Sequence, residues 1–285
     1  MSKTSFRAAL GTLVIATAAL LIPAAQPARA DQLEDIKKKG QISIGTEARF
    51  APFEFIDNGK IVGYAPEMMA LILAKLPNVK VNQLDLPWQG ILPGLAAKKF
   101  DFVVTSVTVT RERTEKYAFT LPIAEATVAL VTRKTGGLAK PEDIAGKVVG
   151  SQVGSAQLQA VKDYSAKLVK DGGKGAAEIK EYVDFNEAYA DLAAGRIQAV
   201  AQALSNLAPL VQQRGDTFAI LQPTIGPKTY YAWVGRKDPE SAGLVKFFSD
   251  GLAELNRSGK MAELQKKWFG FSMDVPADAL PEPTM

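Results

Sequence analysis

The sequence holds no cysteine and no histidine. Without thiols no disulfide can form, so the fold has to rest on its core even in an oxidising compartment. Thiol nucleophiles, imidazole bases, and the thiolate and imidazole ligands of zinc sites are excluded together. Ser-His-Asp and Cys-His chemistry goes with them, which leaves carboxylates, lysine and tyrosine for any acid–base work. Neither a cofactor nor a metal is expected. Charge of one sign is also scarce, with 34 Lys and Arg against 30 Asp and Glu. No basic run or arginine-rich stripe offers the footprint that nucleic acid needs. Beyond Ala30 no stretch is long and apolar enough to span a bilayer.

The first residues do carry a pattern. Lys3 and Arg7 precede an apolar stretch from Ala8 to Ile22, followed by Pro23, Pro27 and the small-residue ending Ala28-Arg29-Ala30. A positive start, a short apolar run and an A-x-A ending describe a secretory signal peptide. Residues 1–30 are therefore expected to be removed by cleavage after Ala30, with the mature chain starting at Asp31 in the periplasm. The other reading of the same run is an uncleaved anchor helix. No Cys stands at the cleavage site, so a lipid anchor is not expected. The leader carries Lys3, Arg7 and Arg29 and no acid, so most of the chain's net charge of +4 leaves with it.

Strand-like and helix-like runs then alternate, which predicts an α/β protein. Strands are expected at Gln41–Gly45, Val79–Leu84, Phe100–Val104, Lys147–Gly150, Ile179–Val183, Ile197–Ala201 and Tyr230–Val234. A hairpin is expected over Phe53–Val62, turning at Asp57-Asn58-Gly59-Lys60. Helices are expected at Tyr64–Leu76, Gln89–Lys99, Ala156–Leu168, Pro239–Asn256 and Lys260–Phe269, and another is expected to start on Asn186 as cap and to end at Gly195. Met68 and Met69 fall at core spacing in the first helix. The Pro-rich acidic tail, Pro276 to Met285, is expected to be loosely held.

Particular blocks resemble a known family. Thr46-Glu47-Ala48-Arg49-Phe50-Ala51-Pro52-Phe53-Glu54-Phe55 and Val62-Gly63-Tyr64-Ala65-Pro66-Glu67 are similar to the opening of periplasmic amino-acid-binding proteins. Trp88-Gln89-Gly90-Ile91-Leu92-Pro93-Gly94-Leu95 resembles the family's W-x-G-[LI]-[IL]-P-x-L block. The run from Phe100-Asp101 through Thr105-Ser106-Val107-Thr108-Val109-Thr110 to Arg113 resembles its FD-x-x-x-[ST]-[ST]-x-[ST]-[IV]-T-x-x-R block. Ala194-Gly195-Arg196-Ile197-Gln198-Ala199 and Lys266-Lys267-Trp268-Phe269-Gly270 match as well. These blocks fall in order from Gly40 to Gly270. The chain thus resembles periplasmic solute-binding proteins of polar amino-acid ABC transporters, such as the histidine-, glutamine- and lysine-arginine-ornithine-binding proteins. The resemblance implies a two-lobed type 2 periplasmic-binding-protein fold with two crossing hinge strands. Lobe one would be 31–124 plus 226–285, and lobe two 125–225. It implies a small-molecule ligand, an amino acid or related carboxylate, trapped by hinge closure. The implied protein partner is the membrane permease of an ABC transporter, and the chain is expected to be monomeric, with no nucleic acid as partner.

Candidate site residues follow from the same blocks. Arg113 offers a guanidinium fork, which matches a carboxylate by two parallel hydrogen bonds, and the resemblance gives it the ligand's α-carboxylate; in Arg111-Glu112-Arg113 it also reads as a solvated charge. Ser106 and Thr108 offer hydroxyls and backbone N–H groups, and Thr105 a carbonyl; alone they would be strand-end turn formers. Phe50 and Trp88 match the family's aromatic walls, whose faces bury apolar parts and favour a cation, although both would serve as core. Glu47 is an acid that can receive an ammonium or guanidinium, or a surface acid paired to Arg49. Ser155 and Gln157 follow Gly150-Ser151-Gln152-Val153-Gly154 at a helix start, where free N–H groups attract anions. One position departs from the pattern. Where many relatives carry an Asp for the ligand's α-ammonium, this chain has Ala203 after Gln202. Burying an ammonium without an anion costs several kcal/mol, so either the ligand lacks an α-ammonium, or Glu47 or a neutral group such as Gln202 takes it, or the register slips.

Two other functions fit the same pattern. A cyclohexadienyl-dehydratase-like enzyme would need an acid over a leaving group, and Glu47 could serve. A ligand-sensing module would dock on a receptor, since the chain shows no signalling domain of its own.

Overall fold

A computed structural model describes residues 31–285; the expected leader lies outside the described residues. Helix α1 (Gln32–Lys39) starts on Asp31, whose carboxylate accepts from the Leu33 N–H, and ends at Gly40 in the left-handed conformation. Strand β1 (Gln41–Thr46) leads into a small meander of β2 (Arg49–Phe50), β3 (Glu54–Asp57) and β4 (Lys60–Val62). Asn58 and Gly59 both take positive φ, which makes the tight turn the sequence predicts. Then come α2 (Tyr64–Leu73), β5 (Lys80–Asp85), α3 (Trp88–Ala96), β6 (Phe102–Thr108), α4 (Arg111–Lys116) and β7 (Tyr117–Glu125). The chain continues with β8 (Val128–Arg133), β9 (Val148–Gln152), α5 (Ala156–Lys170), β10 (Glu178–Tyr182), α6 (Phe185–Ala193), β11 (Ala199–Ala203), α7 (Leu204–Gln213) and β12 (Phe218–Leu221). It returns through β13 (Tyr230–Arg236) and finishes with α8 (Ala242–Arg257) and α9 (Lys260–Phe269).

The strands form two five-stranded sheets besides the meander, in the orders β5-β1-β6-β13-β7 and β10-β9-β11-β8-β12. In each, the first three strands run parallel and the rest pair antiparallel. The chain passes between the sheets twice, once after β7 and once before β13. The two connections lie side by side, with the Ala126 N–H on the Thr229 carbonyl and the Ile225 N–H on the Val128 carbonyl, both at 2.8 Å. One buried cluster runs through both sheets, from Ile42, Phe102 and Trp233 to Val131, Val200 and Phe218. Phe102 stacks on Phe248 at 4.3 Å, against Trp233, and a smaller cluster of Val128, Leu130, Val149, Val161 and Ala201 lies on the second sheet.

Several expectations shift. Strand β6 begins at Phe102 rather than Phe100 and runs on to Thr108, because the Asp101 carboxylate turns aside to accept from both the N–H and the hydroxyl of Ser43 at 2.7 Å. Asp184, not Asn186, caps α6; its side chain accepts from the N–H groups of Asn186 and Glu187. The tail is not loose. Asp278 pairs with Arg257, the Thr284 hydroxyl reaches the Lys228 carbonyl, and Met285 packs on the second sheet's cluster while its carbonyl accepts from the Arg111 N–H. Proline and acid content marked the tail as solvated, but those side chains leave its backbone and its terminal apolar residue free to dock.

Gly63 fixes the meander against α2. Its φ of 127° and ψ of −172° lie in a region reserved for glycine, and an added Cβ would meet the Phe53 carbonyl oxygen at 2.4 Å. Gly63→Ala is expected to cost about 2 kcal/mol, read as a lowered urea midpoint with unchanged slope.

Candidate ligand-binding cleft

Where the two sheets meet, nine side chains enclose a chamber of only ≈ 10 Å³. Glu47, Phe50, Trp88, Ser106, Thr108 and Arg113 come from the first sheet's side, and Gln152, Ser155 and Gln157 from the second's. That volume is about one water molecule, so the lobes stand closed on each other and any organic ligand has to enter by their separation.

Arg113 sits in the first turn of α4, behind the cap made by the Thr110 hydroxyl. Its guanidinium donates to the Thr108 carbonyl at 3.0 Å and, across the cleft, to the Gly154 carbonyl at 3.2 Å. Its Cζ lies 5.1 Å from the Trp88 ring centroid, within cation–π range. Burial lowers its pKa to about 10, which leaves it cationic at neutral pH. Among the described residues no carboxylate forms an ion pair with it. Ser155 opens α5, a 15-residue helix, and its hydroxyl accepts from the Leu158 N–H. The positive end of that helix dipole therefore faces the same chamber as Arg113.

Glu47 stands elsewhere in the chamber and is 3% exposed. Its Oε1 accepts from Gln152 Nε2 at 2.5 Å across the cleft. Burial pushes its carboxyl up to about 7, against the Gln152 hydrogen bond, while the nearby Asp184 charge raises it further. Phe50 closes the adjoining wall, edge-on to Phe185 at 5.8 Å and to Tyr231 at 5.9 Å. Gln157 donates to the Tyr231 hydroxyl at 2.7 Å and lies 3.5 Å from the Thr108 hydroxyl.

Eight of the residues singled out in the sequence thus line one chamber: Glu47, Phe50, Trp88, Ser106, Thr108, Arg113, Ser155 and Gln157. Three do not. The Thr105 hydroxyl points away and donates to Glu54 at 2.6 Å. Gln202 accepts from the Ala203 N–H at 2.7 Å and lines a neighbouring cavity of ≈ 370 Å³ with Phe50, Phe185 and Tyr189. Ala203 is fully buried at the start of α7, which no side chain caps. Sequence reasoning missed Gln152, Glu54 and Tyr231. Gln152 lies in the turn ahead of α5, two residues before Gly154, and nothing in its local sequence sets it apart from a turn residue. Nothing local marks Glu54, an acid between two phenylalanines, or Tyr231, one of a tyrosine pair in a strand.

Two layers of cradle support this geometry. Glu54 is fully buried beneath β6, where its carboxylate accepts from the Thr105 hydroxyl and, at 2.9 Å, from the Ser106 N–H. The Tyr231 hydroxyl lies beneath the other side, within 3.3 Å of Asn206 and 3.5 Å of Gln202. Tyr231, on β13 of the first sheet, thereby touches three polar side chains from the second sheet's side, Gln157 included.

Two α/β units around a polar, aromatic-walled cleft define a binding protein that closes on a small solute. The sequence profile of the bacterial extracellular solute-binding proteins, family 3, matches residues 42–271, and the chain belongs to that family. The L-cystine-binding protein of Escherichia coli is 30% identical over 241 residues, covering 84% of this chain and 86% of that protein. The lysine/arginine/ornithine-binding periplasmic protein of Escherichia coli is 30% identical over 241 residues, covering 81% and 88%. Among solved structures, an ABC uptake transporter substrate-binding protein from Streptococcus pneumoniae with bound histidine aligns with a TM-score of 0.75 at 25% identity, over 86% of this chain and 99% of that one. An ancestral amino acid-binding protein, a precursor of cyclohexadienyl dehydratase, aligns with a TM-score of 0.73 at 25% identity, over 84% and 100%.

Proposed function

We propose that this protein is the exported substrate-binding component of an ABC transporter and holds a small amino acid or amino-acid-like carboxylate in the interlobe cleft. The observation that carries the reading is Arg113: a cation without an acidic partner, beside the N-terminus of α5, in a chamber that both lobes build. Arg113 takes the carboxylate, with Ser106, Thr108 and Ser155 beside it. Trp88 and Phe50 flank the ligand's body, and Glu47, Gln152 and Gln157 supply the remaining polar contacts. Gln202 and Ala203 shape the second-lobe wall behind Tyr231, and Thr105 acts through Glu54. The lobes, 31–124 with 226–285 and 125–225, close about the paired connections. Closed on its ligand, the monomer presents both lobes to a membrane permease, after removal of residues 1–30 in the periplasm. The relatives named for cystine and for lysine, arginine and ornithine support the ligand class.

Thermal shift on the purified protein tests this. The panel holds the common amino acids, ornithine, citrulline, opines, ectoine, betaines and simple carboxylates. A ligand that binds only the folded state raises the melting point, by mass action. At least one carboxylate is expected to do so, and silence across the panel would remove the reading. Glu47 supports a second reading, because a carboxyl titrating near neutrality inside a closed cleft can act as a general acid. Incubation with prephenate or arogenate decides between them: a binding component leaves both intact, and turnover lost in Glu47→Gln would establish the enzyme.

A further inference from the structure

We infer that the cleft is built for a zwitterion whose single carboxylate and single cation lie at opposite ends of a short chain, an ω-amino or ω-guanidino acid rather than an α-amino acid. This rests on the reading of the cleft as a carboxylate-binding site and narrows its ligand.

The charges that line the chamber are one base and one acid, Arg113 and Glu47. They do not pair with each other. Arg113 donates to backbone carbonyls, and the Glu47 carboxylate receives the Gln152 amide. The surroundings of each extend its sign. Around Arg113 stand the N-terminus of α5 and the hydroxyls of Ser106 and Thr108. Near Glu47 stand Asp184 from the second lobe and Asp85 from the first, with Arg49 as the local counter-charge. Asp184 caps α6, so closure brings a second-lobe carboxylate toward a first-lobe one, and a cation lodged there would relieve the repulsion.

The interlobe contacts point the same way. Across the closed cleft the second lobe places a donor, the Gln152 amide, on the acid and an acceptor, the Gly154 carbonyl, on the base. A ligand that displaced both would need a donor cation at one end and an acceptor anion at the other. Trp88 and Phe50 supply the apolar walls for the chain in between. At the carboxylate end the wall beyond Arg113 offers neutral groups, Gln157, Thr108 and the Tyr231 hydroxyl, and the Glu54 carboxyl beneath Ser106 is kept protonated by burial. An ammonium on the carbon next to the carboxylate would be buried there without an anionic partner, which is strongly unfavourable.

Isothermal titration with matched compounds tests the inference. The pairs are δ-aminovalerate against ornithine and δ-guanidinovalerate against arginine, each differing only by the α-ammonium, with valerate as the carboxylate lacking a cation. δ-Aminovalerate is expected to bind at least about tenfold more tightly than ornithine and than valerate. In Glu47→Gln its advantage over valerate should vanish, whereas a merely structural role for Glu47 would weaken both compounds alike and keep the ratio between them. Because Glu47 titrates near 7, δ-aminovalerate affinity should also rise with pH through that value, and valerate affinity should not. Ornithine or arginine binding as tightly as its ω counterpart would overturn the inference and leave the carboxylate site standing. Binding of none of these compounds, or equal binding by Arg113→Ala, would overturn both.

Discussion

Arg113→Ala is expected to lower ligand affinity at least about a hundredfold while leaving the unfolding transition nearly unchanged. The two effects separate because of what the guanidinium touches. Its partners are the carbonyls of Thr108 and Gly154 and the face of Trp88. A carbonyl that loses one donor at a cleft regains water once the lobes part, so folding loses little. A buried ligand carboxylate has no such recourse. Breaking one side of a buried charge pair costs about 3–5 kcal/mol, and a tenfold change in affinity corresponds to about 1.4 kcal/mol. Arg113→Lys should fall between, because an ammonium keeps the charge and loses the planar fork. Titration calorimetry gives the affinities and urea denaturation gives the stability. Wild-type affinity in Arg113→Ala would remove Arg113 from the site, and a large fall in midpoint would make its role structural.

How much of this was legible in the sequence depends on how far apart the interacting residues lie. The strand at Ile42–Ile44, the Asn58-Gly59 turn and the cores of α2, α5 and α9 carry their own period or turn chemistry, and they stand close to where they were expected. Strands β7 and β8 were not expected, although they run from Tyr117 to Glu125 and from Val128 to Arg133. They pair with strands distant in sequence, β13 on one side and β11 and β12 on the other, and no turn signal joins them to those partners. Helix α7 was hidden by Pro209 in its middle. The site divides in the same way. Residues in dense polar-aromatic blocks, such as Trp88, Ser106 and Arg113, drew attention because hydroxyls, rings and a base recur there at short spacing. Gln152 owes its place to a contact 105 residues away in sequence, and Glu54 to strand β6, about 50 residues on. Those pairings exist only once the lobes fold and close.

Glu54 is the position where fold and site depend on one side chain. Glu54→Ala is expected to cost about 2–5 kcal/mol of stability, because the Thr105 hydroxyl and the Ser106 N–H, both buried, would lose their acceptor. Ligand affinity should fall with it, since Ser106 lines the cleft and Thr108 ends the same strand. Glu54→Gln keeps one acceptor oxygen and should cost about 1 kcal/mol. Burial pushes the Glu54 carboxyl up to about 8 from an ordinary 4.5, and the hydrogen bonds from Thr105 and Ser106 only partly oppose this. Between those two values the folded protein holds a proton that the unfolded chain has released. Stability is therefore full below about 4.5 and falls as pH rises toward 8. Glu47 adds a loss of the same sign, complete by about 7. Urea midpoints taken near the two ends of this range should drop toward alkaline pH in the wild type and drop less in Glu54→Gln. Equal slopes in both proteins would mean that the donors on β6 hold Glu54 ionised, and the strand would then be anchored by a buried anion instead of a neutral acid.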